Sequence, residues 1–362
     1  MKSRDLYFGI TLAPYRVDLC NWLYTRANCE IFHLEKQPEV PAFDLDLLME
    51  EIVFEYRTYP SISFNLRCLR YLSSLLDRYQ PRKVYVSEFS STCILMCLLK
   101  RWKKSDFQVI SFCDDSIDMI AGNDFSLRHR IARRIVPRLV DNLVLNNPET
   151  THWYQERFGK GVCFPIIADE RRFREKLSQA LPIAESLLDK HGFGTIPVLL
   201  YVGRLIPLKQ VDFILRAYAP IKDKARLVIV GEGECRNELE SMDREMGLNV
   251  IFTGRKSGGE LLAWYALSDI LLLPSRVEAF GAVVNEALMA GLTPIVSERV
   301  GSRDLVTAGN GSVLPASEPV VWTEALREMV SGIPPKSRPL CLKACRMPFA
   351  FESALQDTLA SL

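Results

Sequence analysis

The sequence predicts an α/β protein with two doubly wound parallel sheets, one after the other. The chain has 362 residues, enough for about two domains of roughly 150 residues each. Short apolar runs rich in Val, Ile and Leu alternate with helical patterns, as in parallel sheets buried on both faces. Hydrophobic residues make up 48% and charged residues 25% of the chain, which is typical of a globular protein.

The second half of the chain has the clearer alternation. Predicted buried strands lie at 198–202, 227–230, 250–252, 270–273 and 294–296. Predicted helices lie between and after them at 208–221, 234–247, 259–267 and 282–290. Strands and helices that alternate over short connections favour a parallel sheet with helices on both faces.

The first half repeats this pattern less regularly. We predict strands at 6–12, 84–86, 108–112 and 143–145, and helices at 17–26, 62–79, 90–103 and 126–139. The domains are expected at 1–168 and 169–345, joined within the proline-punctuated stretch 165–197. Residues 346–362 form an amphipathic run. We expect it to cross back to the first domain, and the alternative is an ordinary last helix of the second.

Composition excludes several classes of protein. A net charge of +1 makes nucleic acid an unlikely partner, because nucleic-acid binding needs concentrated positive charge. We find no apolar run of the roughly 18–20 residues that a spanning helix needs. We expect residues 6–12 to form a strand and not part of a signal peptide. The ten cysteines form no CxxC pair and the four histidines are scattered, which argues against a zinc site and favours reduced thiols in the cytoplasm.

The first candidate motif follows the predicted strand 198–202. Gly203 frees the chain to turn, Arg204 follows at once, and Lys209 comes five residues later near the start of a helix. Ligands of open parallel sheets bind beyond the carboxyl ends of the strands. Two cations beside a helix N-terminus at that edge suit a doubly negative group, and a structural role for these residues is the alternative.

The second candidate motif follows the predicted strand 270–273. Glu278 lies in the loop after this strand, and Glu286 lies in the next helix, so both carboxylates can face one ligand. Gly281 allows close approach of the backbone. The first amides of the helix offer hydrogen-bond donors for a phosphate, and these amides belong to Ala282, Val283 and Val284.

Together these motifs resemble the group 1 glycosyl transferases (glycosyltransferase family 4). The resemblance rests on 202–204 with Lys209, on 230–233, on 252–255, and on the run from Glu278 to Glu286 and Gly291. The resemblance is clear over residues 196–315. In the first domain it rests mainly on the order of the predicted strands and helices. It implies the GT-B fold, in which two Rossmann-like domains face a cleft, and retaining transfer from a nucleotide sugar.

The resemblance also implies a role for each motif residue. Arg204 and Lys209, after the turn at Gly203, would neutralise the donor diphosphate. Glu278 would contact the transferred sugar and Glu286 the ribose hydroxyls. The pocket for the sugar and phosphates would be lined by Phe280, Gly281, Ala282 and Val283. The nucleobase would be bordered by Gly254 and Arg255. No metal or other cofactor is expected, since cations and amides stabilise a departing diphosphate without one.

The first domain carries weaker candidates. Its first loop lacks the glycines typical of the family, and Arg16 is the charged residue there. Asp114 and Asp115 follow the predicted strand 108–112, and either would face the reacting sugar unless this segment only caps a helix. The helix 126–139 carries five arginines and no acid, with Ile131, Ile135 and Leu139 predicted on the opposite side. This helix either contacts an anionic membrane or has an ordinary solvated face, and the sequence leaves both alternatives open.

We therefore predict a retaining glycosyltransferase that moves a sugar from a nucleoside diphosphate sugar to a glycan or lipid-linked acceptor. Surface polysaccharide or glycolipid synthesis at the cytoplasmic side of a membrane would suit such an enzyme. A nucleotide-sugar epimerase of the same architecture is the first alternative. A non-catalytic subunit that binds nucleotide sugar is the second.

Overall fold

The computed structural model describes residues 3–35, 45–122 and 126–362. The chain divides into two compact units. The first comprises Met1–Ala168 and Ser353–Leu362, and the second comprises Asp169–Glu352. Each unit contains one sheet whose strands are all parallel, with helices between the strands. The predicted fold class of two doubly wound α/β domains is confirmed.

The first unit contains a seven-stranded sheet with the order β3-β2-β1-β4-β5-β6-β7. Its strands are β1 (Asp5–Gly9), β2 (Cys29–Leu34), β3 (Arg57–Tyr59), β4 (Lys83–Ser87), β5 (Gln108–Cys113), β6 (Asn142–Leu145) and β7 (Val162–Cys163). Its helices are α1 (Pro14–Arg26), α2 (Leu45–Met49), α3 (Leu66–Tyr79), α4 (Ser91–Lys103), α5 (Ile117–Gly122), α6 (Leu127–Leu139) and α7 (Pro148–Phe158).

The second unit contains a six-stranded sheet with the order β10-β9-β8-β11-β12-β13. Its strands are β8 (Val198–Val202), β9 (Arg226–Val230), β10 (Ile251–Gly254), β11 (Ile270–Leu273), β12 (Thr293–Ser297) and β13 (Ser312–Leu314). Its helices are α8 (Glu170–Gln179), α9 (Leu181–Lys190), α10 (Val211–Tyr218), α11 (Arg236–Met246), α12 (Gly258–Leu267), α13 (Ala282–Ala290) and α14 (Pro319–Gly332).

The last helix, α15 (Phe351–Ala360), lies for most of its length in the first unit. Thr358 Oγ1 donates a hydrogen bond to the carbonyl oxygen of Cys163 at 3.1 Å, and Lys83 Nζ donates one to the carbonyl oxygen of Leu359 at 3.3 Å. The end of the chain is thereby attached to β4 and β7. No helix among the residues that the structure describes is long and apolar enough to span a membrane.

Several elements of the fold were missed by the sequence prediction for identifiable reasons. Strand β2 is buried, but it carries Glu30 and His33, and these polar residues interrupt its apolar pattern. Glu30 is stabilised there by ion pairs with Arg4 and Arg57. Helix α7 is largely polar. The side chain of Asn147 caps it by accepting a hydrogen bond from the amide of Thr150 at 2.8 Å, a signal that the sequence does contain.

The order of strands reverses at an equivalent place in each sheet. The reversal falls between β1 and β4 in the first unit and between β8 and β11 in the second. A crevice outside the carboxyl ends of the strands is expected at such a switch point, because the flanking connections leave the sheet on opposite faces. Residues that bind a ligand are therefore expected near these two points.

Two glycines pack their backbones together at the switch point of the second unit. The amide of Gly203 donates a hydrogen bond to the carbonyl oxygen of Val230 at 3.0 Å, which brings Gly231 against the turn after β8. A Cβ atom at Gly231 would lie 1.8 Å from the carbonyl oxygen of Gly203. Only glycine fits there without displacing one of the two turns.

We expect Gly231→Ala to lower the free energy of unfolding by at least about 2 kcal/mol, because the clash is with backbone and not with a flexible side chain. Urea denaturation of the full chain measures the change. Gly332→Ala is the matched control, since a Cβ atom there has no neighbour within 4 Å. Equal stability of the two variants would contradict the packing described.

Candidate functional site

The turn after β8 holds the first two candidate cations. Arg204 follows Gly203 at the carboxyl end of the strand and is exposed. Its side chain makes no ion pair with any residue that the structure describes. Lys209 closes a short 3-10 turn, Pro207–Lys209, and Gln210 then takes a left-handed conformation with φ 49° before α10 begins. This turn holds Lys209 at the edge of the sheet, mostly buried.

An ion pair joins this turn to the loop after β11. Lys209 Nζ contacts Glu278 Oε2, and the exposed fractions of the two side chains are 10% and 20%. The backbone fixes the same approach, since the amide of Arg276 donates a hydrogen bond to the carbonyl oxygen of Leu208 at 2.8 Å. Two predicted residues that are 69 positions apart in the chain thus meet at the switch point between β8 and β11.

The backbone on the other side of Glu278 is also held. Glu278 forms an isolated parallel bridge with Val300, and the amide of Gly301 donates a hydrogen bond to the carbonyl oxygen of Glu278 at 3.0 Å. The amide of Ser302 donates one to the carbonyl oxygen of Phe280 at 2.7 Å. The carboxylate is therefore presented by a rigid loop.

Helix α13 begins directly after this loop. Gly281 is its N-cap residue, with φ 86° and no side-chain cap. The predicted set of three free amides needs one correction, because the amide of Val284 donates to the carbonyl oxygen of Gly281 at 3.0 Å. Ala282 and Val283 keep amides without a partner among the described residues, as expected of a first helical turn. The ring of Phe280 is buried and supports the loop from within.

Glu286 lies one turn further along α13. Its Oε2 accepts a hydrogen bond from the hydroxyl of Tyr265 in α12 at 2.6 Å. Burial raises the pKa of Glu286, although the hydrogen bond from Tyr265 opposes this shift. Two more polar atoms near these motifs, Asn285 Oδ1 and Gln210 Oε1, are buried without a hydrogen-bond partner among the described residues. Sequence reasoning singled out none of Tyr265, Asn285 and Gln210.

The predicted nucleobase residues lie at a different part of the same edge. Gly254 ends β10, the outer strand of the sheet, two strands away from β8. The amide of Gly231 donates a hydrogen bond to its carbonyl oxygen at 3.0 Å, and Arg255 follows it in an exposed position. The structure thus brings Lys209 and Glu278 into contact, and it places Gly254 and Arg255 two strands away from Arg204 along the same edge of the sheet.

The first unit has a cavity of about 300 Å³ at its own switch point. Residues after β1, β4 and β5 line it, among them Tyr15, Arg16, Ser87, Glu88 and Asp114. The guanidinium of Arg16 donates a hydrogen bond to Asp114 Oδ1 at 2.5 Å and lies 5.5 Å from the ring centre of Phe112. Both Arg16 and Asp114, which the sequence offered as candidates, therefore face one polar cavity.

Glu88 is a residue of this cavity that sequence reasoning missed. It takes a left-handed conformation with φ 56°, which is uncommon outside glycine and is frequent at functional sites. Its Oε1 accepts a hydrogen bond from the amide of Asp114 at 3.2 Å. Burial, together with the charges of Asp114 and Asp115, raises the pKa of Glu88 to about 8, against the opposing charge of Arg16.

Asp115 is buried and held by three side chains. It is 1% exposed, and its carboxylate lies 3.0 Å from His129 Nε2 and accepts hydrogen bonds from Arg133 Nε and the Tyr154 hydroxyl, each at 2.7 Å. Burial favours the neutral acid, but these partners outweigh it and lower the pKa of Asp115. Of the two aspartates proposed to face the reacting sugar, Asp114 lines the cavity and Asp115 is enclosed by its partners, and a contact of either with a sugar stays a prediction. Ser116 caps α5 by accepting from the amide of Met119 at 3.3 Å.

One group of possible metal ligands occurs among the described residues, formed by Glu88, Cys113 and Asp115. Its chemistry does not suit a cation. Both oxygens of Asp115 are already engaged, one of them with the positive Arg133. Burial raises the pKa of the Cys113 thiol well above its usual value, so the thiolate that would bind a metal is disfavoured.

The comparisons with known proteins bear on the second unit most strongly. The model of the family described as glycosyl transferases group 1 matches residues 185–338. This match bears out the resemblance that the motifs predict, over this part of the chain. The matched residues include Arg204, Lys209, Glu278 and Glu286.

Curated relatives match parts of the chain. A GDP-mannose-dependent alpha-mannosyltransferase of Mycobacterium tuberculosis is 39% identical over 123 residues, covering 34% of this chain and 31% of the relative. A D-inositol 3-phosphate glycosyltransferase of Corynebacterium jeikeium is 34% identical over 229 residues, covering 57% and 54% respectively. The chain thus spans about a third to a half of the length of these relatives.

Solved structures match nearly the whole chain. Alr3699/HepE of Anabaena, crystallised with UDP, has a TM-score of 0.74 at 16% identity and covers 99% of this chain and 100% of its own. The lipopolysaccharide outer core galactosyltransferase WaaB, in its apo form, has a TM-score of 0.69 at 17% identity, with 100% and 99% covered. These likenesses support the predicted GT-B fold of two Rossmann-like domains. The cleft between the domains stays a prediction.

The raised pKa of Glu88 has a consequence for stability. Between about pH 4.5 and about pH 8 the folded state keeps a proton that the unfolded state releases, so this group stabilises the fold less as pH rises. We expect the Tm of Glu88→Gln relative to the unaltered chain to increase from about pH 5 to about pH 9. Calorimetry across this range measures it.

Glu328→Gln is the matched control for this experiment, because Glu328 is exposed on α14. Its Tm difference from the unaltered chain should not vary with pH. A Tm difference for Glu88→Gln that is equally flat would show that Glu88 is not held as the neutral acid.

The two neighbouring aspartates should respond differently to loss of charge. Asp115→Asn leaves Arg133 buried without its anion, and we expect it to lower the free energy of unfolding by about 3–5 kcal/mol. Asp114→Asn should cost less, since the Asp114 side chain is 31% exposed. Urea denaturation compares them, with the exposed Asp106→Asn as a control near zero. A larger loss for Asp114→Asn would reverse the assignment.

Proposed function

We propose that this chain is a retaining glycosyltransferase that uses a nucleoside diphosphate sugar as donor. The observation that carries the proposal is the meeting of Lys209 and Glu278 at the switch point of the second unit, beside the uncapped start of α13. A cation, a carboxylate and two backbone donors at one edge suit a sugar diphosphate, which offers anionic phosphates next to hydroxyl groups.

The reaction class follows from where charge develops. When the bond between the sugar and the diphosphate breaks, negative charge grows on the leaving phosphate and positive charge grows on the sugar. Lys209, Arg204 and the amides of Ala282 and Val283 would stabilise the leaving group, and such preorganised donors are the largest single source of rate enhancement in many enzymes. Glu278 would accept hydrogen bonds from sugar hydroxyls and stabilise the positive charge.

Glu286 suits recognition of the nucleoside. Its half-buried carboxyl is oriented by the hydroxyl of Tyr265, which leaves its other oxygen to pair with a ribose hydroxyl. A buried polar group that waits for a partner discriminates strongly against a ligand that lacks one. Gly254 and Arg255 would border the nucleobase at the outer strand.

The acceptor would use the first unit. Its cavity presents carboxyl groups from Glu88 and Asp114 beside the guanidinium of Arg16, and neighbouring carboxylates and cations bind the hydroxyl groups of carbohydrates by charge-assisted hydrogen bonds. We propose a glycan or lipid-linked acceptor, as in the synthesis of surface polysaccharides or glycolipids. A structural neighbour that is a lipopolysaccharide outer core galactosyltransferase supports this choice of acceptor, and one crystallised with UDP supports the nucleotide donor.

The proposed enzyme works without a metal and in a reducing compartment. Placed cations and amides would take the charge of the leaving diphosphate, so the proposed reaction requires no divalent ion. None of the ten cysteines forms a disulfide, and thiols kept out of disulfides are typical of cytoplasmic proteins.

The donor is identified first, by thermal shift with uridine, guanosine and adenosine diphosphates. A nucleotide at about 100 times its Kd stabilises the fold by about 2.7 kcal/mol. With the matching sugar donor, Lys209→Met should lower kcat/KM at least about 100-fold, because it removes a charge that the leaving group needs. Lys224→Met, an exposed site away from the motifs, is the control with unchanged activity.

Three results would count against this proposal. Full activity of Lys209→Met rejects the assigned role. Change of the donor sugar in the absence of any acceptor indicates an epimerase. Nucleotide binding with no turnover on a pool of glycan and lipid-linked acceptors indicates a non-catalytic subunit. The anomeric configuration of the product, read by NMR, tests retention.

A further inference from the structure

Helix α6 of the first unit exposes apolar residues that a globular helix would bury. Leu127, Ile131, Ile135 and Leu139 recur every four residues, with exposed fractions of 63%, 49%, 50% and 44%. Spacing of this kind places them on one side of the helix. The helix buries Arg133, Val136 and Pro137 instead, so its apolar side faces away from the core of the unit.

Three arginines share this exposed side. Arg128, Arg134 and Arg138 are all exposed, which corrects the prediction that the arginines of α6 lie opposite its isoleucines. Arg133 turns inward, to Asp115, and Arg130 is half-buried. Neither Arg128 nor Arg134 forms an ion pair with a residue that the structure describes. We call the surface made by these seven residues the basic apolar face: Leu127, Arg128, Ile131, Arg134, Ile135, Arg138 and Leu139.

A neighbouring helix carries further exposed residues of the same character. Helix α4 packs against α6, and its last turns expose Leu98, Arg101 and Trp102, with 75% of the Trp102 side chain accessible. No acidic residue occurs within α4 or α6. Trp and basic residues favour the interface between lipid headgroups and acyl chains, where an apolar ring and a charge are both accommodated.

We propose that the basic apolar face binds an anionic membrane surface. The arrangement meets both requirements of an interfacial helix, namely apolar side chains that enter the acyl boundary and cations that meet acidic headgroups. The charge decides between occupants, because a second copy of this chain would bring its own arginines against these, at a repulsive cost. An anionic lipid surface is the complementary partner.

The test uses the full chain and co-sedimentation with vesicles in the absence of any sugar donor. Vesicles of phosphatidylcholine with about 30% phosphatidylglycerol are compared with phosphatidylcholine alone. We expect binding to the anionic vesicles at least about 10-fold tighter than to the neutral ones, and weakened by about 0.5 M NaCl because salt screens the charges. Equal binding to both, or binding to neither, overturns the proposal.

Two variants separate the contributions. Arg128→Gln with Arg134→Gln should weaken binding about 25-fold, the factor for two charges at about 1 kcal/mol each. Ile131→Gln with Ile135→Gln should weaken it at least about 10-fold through loss of apolar burial. The matched control is Val320→Gln with Arg327→Gln on the exposed side of α14, which should bind vesicles like the unaltered chain.

Circular dichroism checks that each variant folds. We expect all of them to fold, because every altered side chain is exposed. Vesicle binding that persists in both α6 variants overturns the assignment of this face. Sedimentation velocity tests the other occupant, a second copy of this chain. If the chain forms a dimer that is lost in Ile131→Gln with Ile135→Gln, and it does not bind vesicles, the occupant is a second copy and the membrane proposal is overturned. Since the assay contains no donor, failure of the proposed sugar transfer would leave this result unaffected.

Discussion

The ion pair between Lys209 and Glu278 is the interaction on which the candidate donor site depends. It joins the turn after β8 to the loop after β11, and these strands are neighbours in the sheet although three helices separate them in the chain. A partly buried pair holds both side chains in place before a ligand arrives. The same pair leaves each charge available, since a phosphate can replace the carboxylate beside the lysine and a sugar hydroxyl can replace the lysine beside the carboxylate.

Backbone geometry supplies the rest of this site. The close packing of Gly203 against Gly231 sets the position of the turn that carries Arg204 and Lys209. The left-handed Gly281 starts α13 without a side-chain cap, which leaves amides for an anion. The first unit uses its equivalent switch point differently. There the polar groups are Arg16, Asp114 and the protonated Glu88, and carboxyl groups of this kind suit the hydroxyl groups of an acceptor better than phosphates.

Much of the fold followed from the sequence, because strands buried on both faces are nearly pure runs of aliphatic residues. Strands β8 and β11 and helix α13 have the predicted bounds. Strand β2 could not be predicted, because it contains the acidic Glu30 at a buried position. Glu30 is stabilised there by ion pairs with Arg4 and Arg57, which lie far away in the chain. The candidate site divides in the same way. Spacing along one loop and helix indicated Glu278 and Glu286, whereas Glu88 and Tyr265 depend on tertiary contacts.

Hydrogen–deuterium exchange of the full chain, with and without the nucleoside diphosphate that stabilises it, tests the central claim most directly. The account predicts slower exchange at the turn 203–211 and at the start of α13, residues 280–286, because a bound pyrophosphate would engage amides and order both segments. Protection confined to other parts of the chain, with these two segments unchanged at saturating nucleotide, would contradict it.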